Sequence, residues 1–279
     1  MMTPTGKNPI VFTSGHFDDM RTTDIRFLQE AAKLGSVHAL ISSDEAAHKI
    51  DGGKTKFPLK ERRYFLENVR FIGHTSVIET TNQDQIPFHF TNTDHKKLIW
   101  AVREGDVNNE KGAFCADHGI TRAVIPESAL AGFPIIENPH KPSRKKVMVS
   151  GCFDWVHSGH VRFFEEAAEY GDLYVVVGHD QNLRLLKGES HPLFTQEERQ
   201  YWVHAIRFVH TTLISSGHGW LDAEPEVVKY KPDIFIVNHD GDKTEKRELF
   251  RQMGIEYKVL ERKPKRGLTA RESSKLRGF

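Results

Sequence analysis

An internal repeat constrains this chain more than any other feature. The segment from Ser14-Gly15-His16-Phe17-Asp18 to Gly35 aligns without a gap over Ser150-Gly151-Cys152-Phe153-Asp154 to Gly171, and ten of the 22 positions are identical. With one extra residue in the second copy, Glu61-Arg62-Arg63-Tyr64 lies over Glu198-Arg199-Gln200-Tyr201 and Val69-Arg70-Phe71-Ile72 over Ile206-Arg207-Phe208-Val209. Farther on, Gly119-Ile120 lies over Gly254-Ile255. A period near half of 279 residues means a duplicated domain, because solenoid repeats are shorter. The boundary is expected in the polar, proline-containing stretch Glu137 to Arg144, which gives domains 1–139 and 140–279.

Each copy reads as alternating strand and helix. In the second, Lys146 to Ser150 is a short β-branched run, and Val161 to Tyr170 has apolar residues at helical spacing. Leu173 to Gly178 is a second strand, and Gln196 to Phe208 a helix capped by Thr195 with Glu198 at the third position. Asp233–Val237, Lys243–Met253 and Tyr257–Leu260 continue as strand, helix and strand. This order predicts an α/β fold with a parallel sheet covered by helices on both faces. Ligands in such sheets bind at the carboxyl ends of the strands where strand order reverses, and the loop Gly151 to His160 leaves the first strand there.

The bulk numbers exclude several classes. Hydrophobic residues make up 38% and charged residues 28%, which fits a folded chain. The net charge of +1, from 39 basic and 38 acidic residues, gives no electrostatic case for nucleic acid as the main partner. No apolar run approaches the roughly 20 residues of a membrane span. No signal-peptide pattern opens the chain, and Cys115 and Cys152 are its only cysteines, so a reducing cytoplasm is expected. The 16 histidines are mostly scattered singly.

His157 and His160 are the exception. They stand three apart at a helix start, where the helix dipole favours phosphate, and each imidazole can donate a hydrogen bond near neutral pH. Ser158 and Gly159 between them are small enough for a triphosphate to approach the backbone. The plain alternative is a helix cap with a chance neighbour. Lys187, in Leu186-Lys187-Gly188, is a usable point charge on a glycine-adjacent loop, or else a solvated lysine. Arg199 lies on a helix face and could serve phosphate or a surface ion pair. Ser273-Ser274, before a helical tail, suits a phosphate site or a simple cap.

Taken in order, GxFDxxHxGH after a strand, then Lys187-Gly188, then Thr195-Gln196-Glu197-Glu198-Arg199, then the serine pair resemble the cytidylyltransferases. The resemblance covers residues 146–279 well and 9–139 weakly, and the tandem layout is most similar to the ethanolamine-phosphate branch. It implies two tandem Rossmann-like domains and transfer of CMP from CTP to a phosphorylated small alcohol, with pyrophosphate released. It places His157 and His160 on the phosphates and Lys187 on the charge developing at the α-phosphate. Arg199 and Ser273-Ser274 come near the triphosphate. Gly151, Cys152, Phe153, Asp154 and Gly159 form the nucleotide loop, and His239 and Asp240 lie near the base and acceptor. Mg²⁺ is expected to arrive with the nucleotide. The family is commonly dimeric, so the duplication could act as a pseudo-dimer within the chain, with a homodimer also possible. The tail from Lys265 to Lys275 is longer than the family pattern and differently spaced.

The first copy lacks this set. Arg21-Thr22-Thr23-Asp24 replaces His157-Ser158-Gly159-His160, Asp51 replaces Lys187, and Asn138-Pro139 replaces Ser273-Ser274. It is expected not to catalyse, and to persist for packing or to hold a regulatory ligand. Competing readings are adenylyl transfer from ATP, a non-catalytic nucleotide sensor, and a class I synthetase. The last is disfavoured by chain length and by the poor match of Glu272-Ser273-Ser274-Lys275-Leu276.

Overall fold

The computed structural model describes residues 9–87, 97–136 and 143–276. The chain divides into two compact units, Met1–Gly132 and Phe133–Phe279. Most of the stretch expected to hold the boundary, and the Asn138-Pro139 pair, lies outside the described residues.

The first unit runs β1 (Ile10–Gly15), α1 (Thr22–Ala32), β2 (Ser36–Ser42), α2 (Asp44–Asp51), α3 (Leu59–Glu67), β3 (Ile72–Ile78), β4 (Leu98–Arg103), α4 (Asn109–Asp117) and β5 (Thr121–Ile125). The second runs β6 (Lys146–Gly151), α5 (Ser158–Ala168), β7 (Asp172–Val177), α6 (Asp180–Lys187), α7 (Gln196–His204), β8 (Val209–Ile214), α8 (Glu224–Tyr230), β9 (Ile234–Asn238), α9 (Thr244–Gln252), β10 (Glu256–Leu260) and α10 (Ser273–Leu276). The sheets have the same order, β3-β2-β1-β4-β5 and β8-β7-β6-β9-β10, and every pairing is parallel. This is the two-domain Rossmann-like α/β layout that the sequence implies. Strand order reverses between β1 and β4, and between β6 and β9, so each unit has its crevice at those carboxyl ends. No described helix is long and apolar enough to cross a membrane.

Helices on both faces bury the middle residues of the central strands β1 and β6. All six residues of β7 are buried, which explains its unbroken apolar run. Met148, Tyr174, Phe235 and Phe250 form one core cluster, and Phe12, Leu40, Trp100 and Cys115 form its counterpart in the first unit. Three elements of the second unit escape the sequence pattern. β8 is an edge strand whose Val-His-Thr-Thr-Leu-Ile lacks an apolar run, and it begins just after a helix that ends at His204 rather than Phe208. The others, α6 and α8, have only eight and seven residues. Lys187 therefore ends a helix instead of lying on a loop.

The residues shared by the two copies are scaffold. Gly35 and Gly171 admit no side chain, because a Cβ would stand 2.3 Å from the Pro9 carbonyl oxygen and 2.2 Å from that of Lys145. Phe17 and Phe153 both adopt the left-handed backbone, with φ of 49° and 51°. Asp154 accepts the backbone N–H groups of Leu193 (2.8 Å) and Phe194 (3.2 Å), as Asp18 accepts those of Lys56 and Phe57. The deepest equivalence is an arginine. Arg199 is 1% exposed and donates from Nε to the Phe194 carbonyl (3.0 Å), from Nη1 to Cys152 (2.6 Å), and from Nη2 to Gly178 and to Asp180 Oδ1 (2.7 Å each). Arg62 makes the same set to Phe57, His16, Ser42 and Asp44.

Losing the guanidinium would strand three carbonyls and one carboxylate around a buried hole. Arg199→Met is therefore expected to destabilise the second unit by about 3 kcal/mol. The readout is urea unfolding by tryptophan fluorescence in a Trp100→Phe background, where Trp155, Trp202 and Trp220 all report from the second unit.

Candidate functional site

β6 ends at Gly151, and the chain turns through Cys152–Val156 into α5. His157 is the N-cap of that helix, and its Nδ1 accepts the N–H of Gly159 at 3.1 Å. The helix-cap alternative is thus true of His157. With Nδ1 accepting, the proton of the neutral ring sits on Nε2. That Nε2 is buried without a hydrogen-bond partner among the described residues, as is Nδ1 of His160. The two rings lie 4.0 Å apart between centroids. Gly159 is required here, because a Cβ would meet His157 Cε1 at 2.9 Å and Nδ1 at 3.0 Å. Phe153 packs edge-on against His160 at 5.3 Å and holds its ring from below. The Gly159 N–H is spent on His157 and the His160 N–H on the His157 carbonyl. Donors for an anion therefore come from the side chains more than from these backbone groups.

Both histidines are neutral in the folded protein. Burial, with the charges of His160, Arg262 and Arg271, holds His157 far below the usual histidine range. Burial first, then Arg262 and Lys187, pushes His160 down to about 3. Neutral imidazoles at a phosphate site act as hydrogen-bond donors, and the positive charge comes from their neighbours.

Arg262 and Arg271 were not singled out from the sequence. Arg262 follows β10 in the left-handed conformation, with φ of 51°, and pairs with Asp240. The basic run Arg262-Lys263-Pro264-Lys265-Arg266 was the available signal. With Gly159, Asn238 and Ala270, these arginines border a crevice of about 30 Å³ beside the histidines. The Asn238 side-chain oxygen, at the end of β9, is buried without a hydrogen-bond partner among the described residues.

The other expected residues divide in two. Lys187, at the end of α6, acts on His160 through its charge. Ser273 Oγ donates to the Trp155 carbonyl at 3.3 Å, which ties the tail to the loop before α5. The side chain of Ser274 lies outside the described residues. His239 and Asp240 lie in a single 3₁₀ turn after β9, with Asp240 engaged by Arg262. Asp154 and the Cys152 carbonyl belong to the arginine-centred scaffold. Arg199 has its guanidinium surrounded by four protein acceptors, so its place is behind the loop rather than against a triphosphate. Among the described residues no group of three His, Cys, Asp or Glu could hold a metal ion.

The neutral histidines give a pH dependence with a defined sign. In the unfolded chain they take up protons below about pH 6.5, whereas in the folded state they do so only far lower. Their contribution to stability is full above that pH and is lost as the pH falls toward about 3. At pH 5 the loss is expected to be on the order of 1–2 kcal/mol per histidine. Urea unfolding of the second unit across pH should show it, and His157→Asn with His160→Gln should flatten the slope.

The model of the cytidylyltransferase-like family matches residues 148–275. FAD synthase of Ferroglobus placidus is 33% identical over 135 residues, which cover 47% of this chain and 85% of that protein. FAD synthase of Pyrococcus abyssi is 36% identical over 121 residues, or 42% of this chain and 79% of that protein. The bifunctional protein HldE of Campylobacter concisus is 35% identical over 101 residues, 36% of this chain but only 21% of that longer protein. With the HxGH loop built as described and these matches around it, the chain belongs to the cytidylyltransferase-like family of HxGH nucleotidyltransferases.

Proposed function

We propose that the second unit transfers a nucleoside monophosphate from a nucleoside triphosphate to a phosphorylated small molecule and releases pyrophosphate. One observation carries this reading. Two neutral, donor-bearing histidines stand at the switch point, one with its tautomer set by its own helix, under the charges of Arg262, Arg271 and Lys187. An oxygen of the acceptor phosphate attacks the α-phosphorus. A new P–O–P bond forms, the bond from the α-phosphorus to the bridging oxygen breaks, and its electron pair leaves with pyrophosphate. Nucleotidyl transfer of this kind depends on position and charge stabilisation, and it needs no protein nucleophile.

The residues take distinct roles. His157 Nε2–H and the His160 imidazole donate to phosphate oxygens, and the arginines and Lys187 offset the charge that develops on them. Arg199 is a positioning residue that holds the Cys152 carbonyl and hence the loop. Mg²⁺ would neutralise phosphate charge when bound with the nucleotide. The donors present are matched to phosphate oxygens, and no step is assigned to the metal. The first unit, with Asp24 in the place of His160, is read as non-catalytic.

Two nucleotides compete for the site. The motif order with Thr195-Gln196-Glu197-Glu198-Arg199 favours CTP. The relatives whose names state FAD synthesis favour ATP, since FAD contains an adenylate half, and they match over most of their length. The adenylyl reading has the stronger support. The acceptor class is a phosphorylated alcohol or a related phosphate or phosphonate. Pyrophosphate release, measured across four NTPs and a panel of such acceptors, is expected with one triphosphate, ATP before CTP. His160→Ala is expected to lower kcat by about 10²–10³. Arg262→Ala should raise the KM for the triphosphate. Wild-type release by His160→Ala, or no release with any pair, would overturn the reading.

A further inference from the structure

A cavity of about 570 Å³ lies in the first unit, at the carboxyl ends of its strands. It is in the range of roughly 300–1,000 Å³ typical of small-molecule sites. The helix–strand scaffold that shapes it, including Arg62, matches the second unit bond for bond. A copy kept for packing alone has no need of an open crevice at its switch point, because side chains could fill it. We propose that this cavity is a second small-molecule site, selective for a phosphate-free, hydroxyl-bearing molecule of nucleoside size.

Three observations exclude phosphate. Asp24 occupies the start of α1, where its Oδ2 accepts the Arg21 N–H at 2.6 Å, so the positive helix end is already satisfied by a carboxylate. Arg103, which also lines the cavity, is committed to Asp24 Oδ1 at 2.7 Å and lies over the Phe27 ring at 5.0 Å. Asp51, ending α2 where Lys187 ends α6, adds a second carboxylate, 3.1 Å from His16 Nε2, and Asp106 adds a third. The lining aspartates Asp18, Asp24, Asp51 and Asp106 outnumber the cations Lys54, Lys111 and Arg103, and two of those cations are already paired, Lys111 with Asp84 and Arg103 with Asp24, so phosphate oxygens would meet more carboxylate than free positive charge.

The same lining fits an uncharged, donor-rich ligand. Asp51 and Asp106 accept hydrogen bonds from hydroxyl or amino groups, and Gln83 and Gln85 offer both donor and acceptor. The buried Nδ1 of His16 has no hydrogen-bond partner among the described residues. Trp100, Phe27 and Leu28 supply an apolar wall for a ring. An apolar ring with several hydroxyls and no anionic group is the shape of a nucleoside.

Gly53 lines the cavity, and a Cβ added there would meet nothing within 4 Å. Gly53→Trp therefore places bulk in the site without a clash. Binding of cytidine, uridine, adenosine and guanosine, and of their 5′-monophosphates, would be measured by calorimetry on the full wild-type and Gly53→Trp chains. The difference between the two proteins reports the cavity alone, whatever the second unit binds. At least one nucleoside is expected to bind Gly53→Trp at least tenfold more weakly, with no difference for the monophosphates and with pyrophosphate release unchanged. Amide hydrogen exchange of the wild-type chain should show protection by that nucleoside at residues 51–55 and 80–85. No nucleoside difference and no such protection, or a monophosphate difference as large as that of the nucleoside, would overturn the proposal. Failure here leaves pyrophosphate release untouched, so it is distinguishable from failure of the proposed reaction.

Discussion

The second unit depends on one buried guanidinium. Arg199 ties the start of α7, the loop after β6 and the end of β7 into a single piece, because its fork reaches three carbonyls and a carboxylate at once. A lysine could supply the charge but not the fork. The loop that carries His157 and His160 hangs from the Cys152 carbonyl, so the position of the imidazoles is inherited from an arginine that need not touch substrate. Arg62 does the same in the first unit, where the counterparts of His157 and His160 are Arg21 and Asp24. That coincidence separates architecture from chemistry more clearly than either unit alone.

Duplication makes the separation legible residue by residue. The shared aspartate, arginine, left-handed phenylalanine and close-approach glycine all hold backbone to backbone. The residues that differ lie at the crevice. In the second unit they produce neutral donors under cationic neighbours, and in the first they produce carboxylates already engaged by Arg21 and Arg103. One scaffold thus presents two electrostatic faces. Burial keeps the histidines uncharged, which makes them selective for acceptor oxygens and leaves charge matching to arginines and lysine at the rim.

The family matches extend over the second unit's site, and they include relatives with different names, FAD synthase and the bifunctional protein HldE. On the proposed reaction, the loop from Gly151 to His160 meets phosphates, which every nucleotide has, and base and acceptor meet the loops after β9 and β10, which hold Asp240 and Arg262.

By itself the sequence determined the duplication, the parallel α/β class and the HxGH loop that marks the family, because each rests on local patterns. Buried strands read as apolar runs, helix starts as caps, and HxGH as a compact motif. It could not place Arg199 behind the loop, since a single arginine on a polar helix looks the same whether it points to solvent or fills a core. It also missed β8, α6, Arg262 and Arg271. An edge strand rich in threonine and a short helix carry weak periodicity, and the two arginines reach the histidines only after the chain has crossed the sheet. The tertiary structure alone decided that His157 caps its own helix, that burial makes both imidazoles neutral, and that the first unit keeps an open cavity. These depend on what surrounds a residue in space, and neighbours brought together from distant parts of the chain leave no local signature.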